Sequence, residues 1–183
     1  MREFPSSLGL AGSLLIAHPN LLDPNFRRGV LIISTSDPQE GSFGLVLNRS
    51  TDKTVGELLP GHELGLLGEL PVFIGGPVGH DQLTFAAFHW VGDTLRIRTH
   101  LLLDEARELA AVDEGAVRAF LGYSGWSKGQ LEAELEQKAW LVQKPDQDVM
   151  DIKKCLDLWP TIMREQGPWF RLLASAPDDP SLN

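Results

Sequence analysis

Ser124 is the residue in this chain whose surroundings most resemble a reacting group. It stands in "GYSGWSKGQ" (122–130), with Gly122 and Gly125 on either side and Tyr123 and Trp126 close by. A serine nucleophile on a strained strand-to-helix turn reads G-x-S-x-G, where the glycines make room for the turn. Gly122 and Ser124 fit, but Trp126 fills the last position with a bulky ring. No histidine follows His100, so a base would have to come from upstream, from His80, His89 or His100. A hydrolase built on Ser124 and one of these imidazoles is therefore the runner-up reading. The leading reading makes the stretch a glycine-rich turn with Trp126 in the core.

The other chemistries have less to stand on. A phosphate loop needs G-x-x-x-x-G-K-[ST], and here Lys128 follows Ser127 and precedes Gly129. "GGPVG" (75–79) lacks the G-x-G-x-x-G spacing, and Pro77 removes a backbone donor. Either turn can still hold an anion on backbone N–H groups at a helix start. The five histidines, His18, His62, His80, His89 and His100, form neither H-x-H nor H-x-x-x-H, and no C-x-x-C occurs. No metal site, cofactor or catalytic residue is expected. Cys155 reads as a small hydrophobe on a helix face, and the tryptophans as core anchors first.

Totals narrow the classes further. With 183 residues and 43% hydrophobic content, one domain over 1–183 with a substantial core is expected, with loosely held ends at 1–11 and 175–183. A formal net charge of −9 repels phosphate backbones, and Arg27–Arg28 and Lys153–Lys154 are the densest basic pairs, so direct nucleic-acid binding is not expected. A lone cysteine fits a reducing compartment. The apolar run near 12–17 is too short for a signal peptide, and no stretch approaches the ~20 residues of a membrane span. A soluble, cytoplasmic protein that avoids membranes is expected.

The elements that must position these residues follow from periodicity. "GSLLIA" (12–17), "GVLIIS" (29–34) and "FGLVLN" (43–48) read as buried strands, the last two as an antiparallel pair across the polar "TSDPQEGS" (35–42). "PNLLDPNF" (19–26) is turn-rich. A short helix is expected over 52–60, begun at Asp52 or Thr54, and a strand at 71–74 running into a sharp turn at 75–79 whose backbone comes close to something. "LTFAAFHW" (83–90) and "TLRIRT" (94–99) flank a hairpin, with Leu95 and Ile97 inward and Arg96 and Arg98 in water. A helix over 103–111 takes Asp104 as N-cap, and 117–123 is a strand. Ser127 and Gln130 have the form of a capping box for a helix that turns Leu131 and Leu135 inward and its glutamates outward. "AWLVQ" (139–143) is a strand. Asp148 caps a helix presenting Val149, Ile152, Leu156 and Trp159, and Pro160 starts or kinks another that Gly167 ends. The order lacks a βαβ rhythm, which argues an α+β fold with a mixed, largely antiparallel sheet.

"LLIAHPNLLDPNF" (14–26), "GLVLNR" (44–49), "PVFIGGPV" (71–78) and "GYSGWSKGQLEAE" (122–134) occur in the order typical of the YqgE/AlgH family, and "AWL" (139–141) and "DLW" (157–159) resemble its later segments. The resemblance spans roughly residues 12–175. It implies a bifurcated sheet folded into a pseudo-barrel with flanking helices, and a bacterial, cytosolic protein. The family's molecular function is not established, although one member is named as a regulator of alginate biosynthesis. At the position of Ser124 the family commonly reads Ala, so a serine nucleophile is not its shared chemistry. After "GGPV" many relatives read an aromatic-Val-Leu-His segment where this chain has "LTFAAFH", which sets His89 at the histidine.

The favoured function is a non-enzymatic binding or regulatory module for a small molecule or a protein. Asn48–Arg49 ends one strand, Gly75–Gly76–Pro77 ends another, and Tyr123 to Gln130 forms a third turn. If the three converge, Asn48, Arg49, Gly75, Gly76, Tyr123, Ser124, Trp126 and Gln130 form the candidate ligand-binding set.

Overall fold

Three apolar runs organise the molecule because each needs cover on both faces. The computed structural model describes residues 9–113 and 116–175. β1 (Leu14–Ala17) is buried at every position, as are the first four residues of β2 (Val30–Asp37). β3 (Gly41–Val46) pairs antiparallel with β2, β2 with β1, and β1 with β9 (Trp140–Gln143). The β2–β3 connection is tighter than its polar sequence suggests. Both strands extend into it, and the Asp37 carboxylate accepts the N–H groups of Gln39 at 2.7 Å and Glu40 at 3.0 Å. Those two bonds hold the Asp37 carboxyl below the usual carboxylate range.

β8 (Val117–Trp126) divides the sheet. Its first half lies between β5 (Pro71–Ile74), in parallel, and β6 (Val78–Val91), antiparallel. Its second half pairs with β3, from Gly44 opposite Ser124 to Ser42 opposite Trp126. β4 (Ser50–Thr54) extends β5, and β7 (Thr94–Arg98) closes the expected hairpin with β6. The nine strands among the described residues form one mixed sheet, antiparallel except between β5 and β8, which curls into an open half-barrel flanked by helices. This is the expected α+β architecture. Alternate residues of β8 serve two layers. Val117 and Ala119 join α1 (Val55–Leu58) and α2 (Leu103–Val112) in a smaller core, while Phe120 joins β1, β2 and β3 in the larger one.

Several local expectations need correction. Residues 123–126 are strand rather than turn, because β3 supplies ladder partners up to Trp126 and the chain reverses only at Ser127–Gly129. β4 is a strand although "STDKT" is polar, since its partner is the edge of β5. Thr54 does cap α1, in a reciprocal box with Glu57. α2 starts one residue before Asp104. Glu105 reaches back to accept the Leu102 N–H at 3.0 Å, leaving Asp104 to pair with Arg107 at 3.0 Å.

The Ser127–Gln130 box forms only in part. The Gln130 side chain accepts from the Ser127 N–H at 3.1 Å, but Gly129 is the N-cap of α3 (Gln130–Glu136). Glu134 does not simply face water: it accepts both the Trp126 and Trp140 indole N–H groups, at 2.9 and 2.7 Å. Residues 147–157 form two 3-10 turns instead of one helix, so Cys155 and Leu158 are buried and Leu156 is exposed. Pro160 falls in the first turn of α4 (Leu158–Glu165), and Gly167 separates it from α5 (Pro168–Ala174). Asp148 falls inside the first of the two 3-10 turns (Gln147–Met150) rather than ahead of it, and Asp146 accepts the Val149 N–H at 3.2 Å. Of the expected loose ends at 1–11 and 175–183, residues 1–8 and 176–183 lie outside the described residues.

Candidate functional site

The glycine motifs bring β5 against β8. A Cβ on Gly75 would run into the Gly122 carbonyl, and one on Gly76 into the Tyr123 backbone and the Ser124 hydroxyl. That approach lets the Gly75 N–H donate to Leu121 O at 2.8 Å and its carbonyl accept from Val46 N at 2.9 Å. One residue earlier, the Ile74 N–H donates to Arg49 O at 2.8 Å. The ends of β3 and β5 and the middle of β8 are thereby joined, as the convergence of three segments requires.

Ser124 is at the centre of this junction. It has no exposed surface, and its hydroxyl donates to Gly75 O at 3.1 Å. Tyr123 stacks on Phe43 at 4.8 Å between ring centroids, and Phe43 in turn meets the His100 ring at 5.3 Å. Trp126 is buried against Phe26 and Trp140. Gln130 is exposed and bonds Ser127 and Glu134. These four side chains, with Gly75, hold the fold at the junction and line neither of the clefts described next.

Asn48, Arg49 and Gly76 do border open space. Asn48 accepts the Val30 N–H at 2.8 Å and donates to Arg28 O at 2.9 Å. Arg49 donates through one terminal nitrogen to Pro24 O at 2.8 Å and through the other to Arg27 O at 2.9 Å. Two side chains from the end of β3 therefore clamp the 24–30 segment at four points. Phe26 anchors the same segment from below, edge-on to Trp140 at 5.5 Å and stacked near Trp126 at 6.2 Å. Glu134 ties those two indoles together.

Three arginines of this clamped region line one cleft of about 500 Å³. Arg27, Arg28 and Arg49, with Asn48, make its polar wall, and Leu156, Trp159 and Pro160 its apolar wall. The Arg28 guanidinium lies over the Trp159 ring, 5.1 Å from its centroid, and the Trp159 indole N–H is fixed to Ala17 O at 2.8 Å. Burial lowers the Arg49 pKa, and the Asp23 carboxylate acts in the opposite sense. Arg28 has φ 54°. A non-glycine residue in that left-handed region costs on the order of 1–2 kcal/mol, which glycine would avoid. A smaller niche of about 200 Å³ lies on the other side of Arg49, between Asn25, Ile74, Gly76, Pro77 and His80.

Sequence reasoning missed Arg27, Arg28, Trp159, Pro160 and His80 as lining residues. The available signal was the Arg27–Arg28 pair itself, a dense basic pair in an acidic chain. Among the described residues no group of three or more His, Cys, Asp or Glu is placed to hold a metal ion, and no helix is long and apolar enough to cross a membrane.

Comparison with known proteins gives one family. The AlgH-like family model matches residues 14–171. A UPF0301 protein of Thermobifida fusca is 36% identical over the full length of both chains. One from Streptomyces avermitilis is 39% identical over 95% of each. Among solved structures, a Corynebacterium diphtheriae protein superposes with a TM-score of 0.72 at 21% identity, covering 96% of this chain and 95% of its own, and shows the same fold. The solution structure of AlgH from Pseudomonas aeruginosa matches with a TM-score of 0.65 at 27% identity, covering 97% of this chain and all of its own.

Proposed function

The chain belongs to the AlgH-like family, whose molecular function is uncharacterised, and from that premise we propose that it is a non-enzymatic binding module for a small anionic ligand held in the arginine-lined cleft. The observation that carries this reading is the convergence of Arg27, Arg28 and Arg49 on one concave surface of a chain whose net charge is −9. Like charges gathered against low-dielectric walls focus the field into a cleft and concentrate counter-ions there. The clamp by Asn48 and Arg49 supports it further, because a binding wall fixed before the ligand arrives loses less entropy on association.

The arginines are gathered in a cleft rather than spread along a face, which suits a small ligand better than a nucleic-acid backbone. A hydrolase built on Ser124 draws no support from a hydroxyl that is fully buried and already donated to Gly75 O. In this reading the protein works in the cytoplasm, and its regulatory role, passed on to a protein partner, follows from ligand occupancy.

Thermal-shift titration against phosphate, pyrophosphate, citrate and nucleotides tests the reading. A ligand at ~100 times its Kd stabilises the fold by about 2.7 kcal/mol. For a domain of this size that is a midpoint rise of roughly 5–10 °C. Arg27→Ala should abolish the rise while leaving the unliganded midpoint nearly unchanged. A flat response to every polyvalent anion would overturn the proposal.

A further inference from the structure

The cleft is built for more than an oxyanion. About 500 Å³ falls in the range of small-molecule pockets, roughly 300–1,000 Å³, and a bare phosphate leaves most of that space empty. Its lining has two characters, cationic at Arg27 and Arg49 and apolar at Leu156 and Pro160. Leu156 is 62% exposed, an apolar side chain left open at the rim. Between the two walls sits Arg28, its guanidinium closed off on one side by the buried Trp159 ring and bordering the cleft. A guanidinium backed by an indole is a flat, weakly hydrated cationic platform, the kind of surface on which aromatic rings and nucleobases stack. The left-handed backbone at Arg28 is a further sign, since strain of that kind persists where the side chain is needed in place. Arg49 keeps donors for a ligand, because its bonds to Pro24 and Arg27 use two of the five N–H groups of a guanidinium.

Resting on the anion-binding reading above, we propose that the ligand is a free nucleoside phosphate: its base stacks on the Arg28–Trp159 pair, and its phosphates are held by Arg27 and Arg49. The base lies toward Leu156 and Pro160, and the charge lies toward the clamped 24–28 turn.

Calorimetric titration of the full chain with ADP, pyrophosphate and adenosine separates the two parts. ADP should bind about tenfold or more tighter than pyrophosphate, the factor expected of one base stacked on a cationic or aromatic surface. Arg28→Lys keeps the charge and loses the plane, so within that variant the advantage of ADP over pyrophosphate should fall to below about threefold. Saturation-transfer NMR on the unaltered protein needs no variant, and base protons of ADP should receive more saturation than ribose protons. Equal affinities for ADP and pyrophosphate, or stronger transfer to the ribose, would overturn the base platform while leaving the anion cleft standing. An ADP advantage that survives Arg28→Lys would overturn the role of Arg28. Failure of both ADP and pyrophosphate to bind at millimolar concentration would overturn this proposal and the anion-binding reading together.

Discussion

Replacing Arg118 by methionine should make this protein more stable. Arg118 is on β8, 1% exposed, with its guanidinium inside the larger core. One terminal nitrogen donates to Val149 O at 3.0 Å, and the charge sits 5.9 Å from the Phe73 and Phe88 ring centroids. Nε and the other terminal nitrogen have no acceptor among the described residues. The Cys155 thiol beside it is a weak acceptor, and Asp151 acts only through its charge, so burial dominates and lowers the Arg118 pKa. Each orphaned donor costs about 1–3 kcal/mol, against about 1.5–3 kcal/mol for the one charged hydrogen bond and about 1 kcal/mol for each ring contact. Desolvation of the cation adds several kcal/mol to the cost side. Methionine keeps most of the volume at the cost of the donor to Val149 O, and replacing whole buried ion pairs by apolar residues of similar volume is neutral to stabilising by about 1–4 kcal/mol in other cores. Urea unfolding should therefore give Arg118→Met a gain near 2 kcal/mol, and calorimetry a midpoint rise of roughly 4–8 °C. Arg118→Ala removes the charge and also leaves a cavity, so it should lose stability. A methionine variant that is destabilised by 1 kcal/mol or more at unchanged m-value would refute the reasoning, since the charge would then be satisfied where it lies.

Other consequences can be measured on the same footing. Glu134→Leu takes away the single carboxylate oxygen that accepts both indole N–H groups and should cost at least about 1–3 kcal/mol in urea unfolding. Ser124→Ala removes one buried bond to Gly75 O and should cost about 1 kcal/mol without altering anion binding, which titration with pyrophosphate checks. Gly75→Ala drives a methyl group into the Gly122 carbonyl and should cost more than about 2 kcal/mol, visible as a drop in midpoint. Burial raises the Cys155 pKa, so the folded state holds that proton more tightly than the unfolded chain does. Stability should then fall as pH rises above about 8.5, the unfolded value, and Cys155→Ala should flatten that fall in unfolding curves taken from pH 7 to 10.

The parts of the fold legible in the sequence are those whose residues explain themselves. "LLIA" and "VLII" are apolar at every position, and only a strand covered on both faces buries four such residues in a row. Thr54, one of the two starts that the sequence offers for α1, caps it in a box with Glu57 that closes on itself wherever the helix packs. What stayed hidden depends on a distant partner. "STDKT" has no strand pattern and becomes β4 only because β5 offers an edge. Ser124 and Gly125 look like a turn until β3 pairs with them. Glu134 looks solvated until two indoles from separate strands point at it.

The candidate site was hidden for the same reason, and it explains what the glycine motifs accomplish. Arg27 and Arg28, Asn48 and Arg49, and Trp159 and Pro160 come from three stretches of chain separated by some twenty and more than a hundred residues, with no spacing pattern to link them. Gly75 and Gly76 let β5 approach β8, that approach brings the end of β5 into register with the end of β3, and Ile74 then bonds the Arg49 carbonyl. So fixed, Arg49 reaches the carbonyls of Pro24 and Arg27 and closes the turn that carries the other two cations. The motif that looks most like chemistry, "GYSGW", acts on the cleft at one remove: it sets the strands that aim Arg49, and Arg49 sets the turn. Gly75→Ala, which forces β5 away from β8, should therefore lower stability and anion affinity together, whereas removing the Arg27 side chain should lower the affinity alone.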